Sequence, residues 1–179
     1  MKFIIFFSIL LSTLNNVAAQ SKSVKKSVSA TDTSAIASVS PIASLSPKEY
    51  TAYQKGEPMA MTNVAEVNNY PAPAQVLAFE KVLKLTVSQK QQLQIAVEAL
   101  DFKAKEMGRF ILDHEKKLND LFYTGKANEG SLIYYCNQIG LYQGELRNAH
   151  LQAHLKARRI LTPDQLKKYS RLVLDSNKG

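Results

Sequence analysis

The chain is poor in the residues that staple small exported modules or build metal clusters. It has one cysteine, Cys136, in 179 residues. A lone thiol excludes an internal disulfide framework and any multi-cysteine zinc or iron–sulfur centre. Tryptophan is missing, glycine occurs seven times and proline six, and none of the prolines falls between Ala74 and Thr162. Proline inside a helix costs about 3 kcal/mol, so that gap favours helix. An all-β sandwich needs regularly spaced Gly/Pro turns, which the gap does not supply. No P-loop and no nucleophile elbow occurs, and the carboxylates alternate with bases and form no acid/base pair. These absences predict a protein that is not an enzyme and that needs no organic cofactor.

What is present falls into three sections. Lys2 precedes a short apolar run from Phe3 to Leu11, and Val17 and Ala19 supply small residues before Gln20. This is the pattern of a signal peptide over residues 1–19. The apolar run is well short of the ~20 residues a spanning helix needs, so no transmembrane anchor is expected and the mature chain is predicted to be periplasmic. Residues 20–73 form the second section. Nine serines lie between Ser21 and Ser46 without an aromatic residue, too little apolar surface to offset chain entropy. Pro47 to Pro73 is more apolar but is interrupted by Gly56, Pro58, Pro71 and Pro73. Together they read as a disordered or irregular tether.

The third section, residues 74–176, carries most of the order and most of the charge. Of the formal +8, residues 75–179 hold +6, from 17 basic and 11 acidic side chains. Charges of both signs alternate along the predicted helices, as on a solvated face, so nucleic acid is not an expected partner. Leu93, Val97, Leu100, Ala104, Met107, Ile111, His114, Leu118 and Leu121 recur at alternating steps of four and three. That is the stripe of a helix laid along another helix. Gly125 and Gly130 mark a break, and a second stripe runs from Leu132 through Tyr135, Ile139, Tyr142, Leu146, Ala149, Ala153 and Lys156 to Ile160. A short loop between two such helices makes them antiparallel neighbours. The predicted fold is therefore all-α, a long helical hairpin with a short helix at each end, four helices in all. Gly108, Gly140 and Gly144 fall inside these helices, where glycine weakens a helix by up to ~1 kcal/mol relative to alanine.

Apolar residues also lie off the stripes. Ile95, Phe102 and Phe110 on the first helix, with Leu151 and Leu155 on the second, are candidates for a client-binding or dimer surface, with Arg158 and Arg159 as its cations. Large exposed apolar patches commonly mark interaction sites.

Two copies of one short motif bracket the hairpin: Leu85-Thr86-Val87-Ser88-Gln89 before it and Leu161-Thr162-Pro163-Asp164-Gln165 after it. Each reads as a helix start, with Thr as cap, Gln closing a capping box and Leu as a hydrophobic staple. With Ala149-His150-Leu151 upstream of the second copy, the region from Phe79 to Leu174 resembles the Spy/CpxP family of bacterial periplasmic proteins. The resemblance implies a four-helix chain that dimerises into a thin cradle. It also implies an ATP-independent chaperone or envelope-stress protein that binds unfolded or aggregation-prone clients on a basic and apolar surface. The family's other implied role is a metal-binding sensor, or a regulator of a stress-signalling partner.

Histidine bears on that alternative. His150 and His154 are four residues apart on one helix face and could share a weakly held divalent metal ion, with Asp101 on the facing helix within reach. The competing reading is a purely structural pair. His114 lies too far along the hairpin to complete a site within one chain.

Overall fold

A computed structural model of the chain describes residues 39–176. The expected signal peptide, the tether as far as residue 38 and the last three residues lie outside the described residues. Helices are the only regular elements among the described residues, which contain no strand. Seven helices follow in order: α1 (Pro47–Lys55), α2 (Asn63–Glu66), α3 (Pro73–Ala78), α4 (Glu80–Leu83), α5 (Val87–Tyr123), α6 (Glu129–Ile160) and α7 (Pro163–Ser176).

α5 and α6 are the expected hairpin. At 1.5 Å per residue the 37 residues of α5 extend about 55 Å. All nine residues of the first stripe are buried or half-buried, as are those of the second except Lys156, which is exposed. Leu93, Ile111 and Leu146 are sealed from solvent, each contributing about 1.5–3 kcal/mol of burial. Thr86 starts α5 with a full capping box, and Asn128 starts α6 with another in which Ser131 takes the N3 position.

Two apolar clusters order the hairpin along its length. At its open base, Val76, Leu83 and Leu85 from the incoming chain meet Leu93, Ala157, Leu161 and Tyr169. Phe79 packs edge-on against Tyr169, and the Tyr169 hydroxyl donates to Gln75 at 2.6 Å. Burial pushes the Tyr169 phenol up to about 12. Midway along, Tyr53 packs with Ala104, Met107, Ile111 and Leu146.

Tyr53 belongs to the segment read from composition as irregular, and here the structure differs. In place of one short N-terminal helix there are four helical pieces. Residues 39–73 lie along the hairpin and belong to its domain. Ile42, Ala52, Tyr53 and Ala65 are buried, and the Ala43 amide and Ser44 hydroxyl reach Asn119 and Glu115. The physical reason is local as well as tertiary. Ser46 caps α1, Pro47 occupies its first turn, and Glu49 closes the box onto Ser46. This Ser-Pro-Lys-Glu start was in the sequence; the surrounding serine and glycine concealed it.

Glycine explains how the segment lies so close. Gly56 ends α1 at φ +67°, where a Cβ would meet the Ala104 backbone at 2.7 Å. Across from it, a Cβ on Gly108 would stand 1.9 Å from the Tyr53 carbonyl oxygen. The glycine that reads as a weak point in α5 is the seat of the N-terminal segment.

Candidate functional site

The paired motifs form one structure at the hairpin base. The Gln89 side-chain oxygen accepts from the Thr86 amide (3.0 Å), and that of Gln165 accepts from the Thr162 amide (3.0 Å), so both capping boxes are closed. The two carboxamides then bond each other, Gln89 Nε2 to Gln165 Oε1 at 2.8 Å and Gln165 Nε2 to Gln89 Oε1 at 3.1 Å. Each also caps a helix other than its own: Gln89 donates to the Ile160 carbonyl that ends α6 (2.9 Å), and Gln165 to the Leu83 carbonyl that ends α4 (3.3 Å). Helix ends leave such carbonyls without partners. Leu85 and Leu161 are buried beneath this clasp. The motif residues therefore hold the base of the hairpin together and present no reactive group.

The histidines are likewise occupied. His150 Nε2 donates to the Gly56 carbonyl at 2.9 Å, and His154 Nδ1 to the Tyr70 carbonyl at 2.7 Å. Both rings are buried. They share a helix face as the spacing requires, but what covers that face is the N-terminal segment. Asp101 turns to Lys105 at 2.8 Å instead. Among the described residues no group of three His, Cys, Asp or Glu side chains is placed to hold a metal ion. His114 bonds the Phe110 carbonyl at 2.8 Å and sits against Tyr135 and Tyr142.

Burial holds the His150 imidazole below its ordinary value, helped by neighbouring His154 and opposed by the bond to Gly56. The folded chain therefore takes up this proton less readily than the unfolded chain. Stability is intact while both states are neutral and falls as pH drops through the ordinary imidazole value of about 6.5. Thermal melts from pH 7.5 to 5.0 should show a steeper decline for the wild type than for His150→Gln, which keeps a donor but does not titrate. Parallel curves would remove His150 as the cause.

The seven candidate surface residues divide into two sets. Ile95, Phe102 and Arg159 are exposed. The others are engaged. Phe110 stacks on Tyr142 at 4.9 Å. Leu151 and Leu155 are half-buried and share a shallow apolar recess with Val64, Ala65 and Tyr70. Arg158 donates to the Asn69 carbonyl at 2.6 Å and lies over the Tyr70 ring. Leu151, Leu155 and Arg158 thus seat the N-terminal segment, a role the sequence did not suggest because their partners lie more than 80 residues away.

The exposed set extends beyond Ile95 and Phe102. Phe122, Tyr123, Ile133, Tyr134 and Leu141 are also more than half exposed. Tyr123 and Ile133 were missed because they sit beside the loop, where the stripe gives no warning. Between the arms, α5 and α6 alone line a trough of about 480 Å³ that includes Lys103, Lys156 and Arg159. No helix of the described residues is long and apolar enough to cross a membrane. Comparison with protein-family models, with curated proteins and with solved structures finds no match to this chain.

Proposed function

We propose that this protein is a periplasmic, ATP-independent chaperone, acting as a homodimer and binding unfolded or aggregation-prone clients on its hairpin arms. The observation that carries this reading is the set of large apolar side chains left open along both arms. Phe102 at 73% and Ile133 at 65% exposure are examples, in a chain whose formal charge is +8. Folded monomers seldom leave so many large side chains open without a use for them. Non-native clients offer exposed apolar segments and need no fixed partner geometry. The paired Leu-Thr-x-x-Gln motifs, and their resemblance to Spy/CpxP proteins, point in the same direction.

Nothing in this mechanism calls for nucleotide or for a catalytic group. Binding would be driven by burial of client apolar surface at roughly 25 cal/mol per Å², with cations raising the encounter rate with acidic clients. The test is aggregation of several chemically denatured clients, followed by light scattering without nucleotide. Near-stoichiometric protein should suppress scattering across clients; no suppression of any of them would reject the proposal.

A further inference from the structure

The trough between α5 and α6 has a floor and two ends of different chemistry. Ala96, Ala99, Ala149 and Ala153 make the floor, with Leu100 beside them. Lys103, paired with Glu106 at 3.0 Å, stands at one end, and Lys156 with Arg159 at the other; the lining itself includes no acidic side chain. The antiparallel register, fixed midway along the hairpin where Phe110 stacks on Tyr142, sets Lys103 and Lys156 about two helical turns apart, roughly 10 Å. None of residues 39–73 enters the lining.

We infer that this trough seats a client segment of one kind: a helix bearing carboxylates about two turns apart on either side of a strip of small or apolar residues. The inference rests on the chaperone reading and names the client chemistry. An alanine floor lets another helix approach closely, at 8–10 Å between axes, and offers apolar contact without bulk. Cations at both ends match two separated carboxylates, the one at the Lys103 end sharing that ammonium with Glu106. A single-headed lipid anion would engage only one end of the trough. The chain's own N-terminal residues do not match, because residues 20–38 hold three Lys and one Asp, the wrong sign for this trough. Salt must weaken the fit, because these side chains are solvated.

The experiment uses the full mature chain and fluorescein-labelled helical peptides read by anisotropy. One peptide carries Glu at both ends of an Ala/Leu strip, one carries Lys at both, and one carries a single Glu; decanoate serves as the lipid-like competitor. Wild type should bind the two-Glu peptide about tenfold tighter than the two-Lys peptide at low salt. Lys103→Glu combined with Arg159→Glu should invert that preference. Ala99→Trp, which fills the trough without altering charge, should abolish binding, and melting curves verify that both variants stay folded. A reversed-charge variant that binds the two-Glu peptide as wild type does would overturn the inference. Equal binding of the single-Glu peptide, or full displacement by decanoate, would overturn it in favour of a single-headed anion. If acidic selectivity is missing while aggregation is still suppressed, only the trough assignment fails. Intact selectivity without suppression removes only the chaperone reading.

Discussion

Replacing Gly108 by Ala is expected to cost about 2–3 kcal/mol and to release the N-terminal segment from the hairpin. A methyl group there would stand 1.9 Å from the Tyr53 carbonyl oxygen and 2.9 Å from its carbon. Both atoms are backbone, so no side-chain rotation relieves the clash. The segment must move, and with it go the burial of Tyr53 and the bonds from His150 and His154 to Gly56 and Tyr70. Alanine's better helix propensity returns at most about 1 kcal/mol. The same substitution at Gly140 or Gly144 meets nothing within 4 Å, so each should stabilise by up to about 1 kcal/mol. Denaturant unfolding gives the energies, and limited proteolysis shows whether residues 39–73 become cleavable. If Gly108→Ala matched the wild type in both, the close seat between α1 and α5 would be wrong.

Loss of the Gln89–Gln165 clasp should have the next largest effect. Gln89→Ala removes half of a capping box, the donor to the Ile160 carbonyl and the bonds to Gln165. Gln165→Ala does the equivalent at Thr162 and Leu83. Each single change should cost about 1–2 kcal/mol. The double variant should cost less than their sum by about 0.5–1 kcal/mol, because the bonds between the amides are lost only once. Gln92→Ala, at an exposed position bonded only within its own helix, should stay within about 0.5 kcal/mol. Strict additivity of the two clasp variants would mean that the amides act separately.

The contrast between these two sites explains what could be read from the sequence. The hairpin, its loop and α7 were legible because their signals are periodic or local: the four–three stripes, the glycines at the break, and the Leu-Thr-x-x-Gln starts. The same signal located Gln89 and Gln165 but not their mutual bond, which depends on the hairpin closing at its base. Gly108 read as a defect because its partner, Tyr53, lies in a stretch whose serine, glycine and proline content hides two short helices. His150 and His154 were correctly placed on one face by their spacing. Whether a metal or a carbonyl met them depended on a segment that arrives from about 90 residues upstream. Leu151, Leu155 and Arg158 were assigned to an open surface for the same reason. The trough is the opposite case. Its alanines and cations come from two helices, and only the register of α5 against α6 brings them together.

The central proposal is function through the exposed apolar arms, and those side chains can be removed without disturbing the fold. Ile95, Phe102 and Ile133 are each at least half exposed, so serine at all three should leave the melting temperature nearly unchanged. The deciding measurement is client aggregation with this triple variant beside the wild type at equal concentration. The proposal predicts that the variant melts as the wild type does yet loses most of the suppression. A variant that is equally folded and equally protective would contradict it.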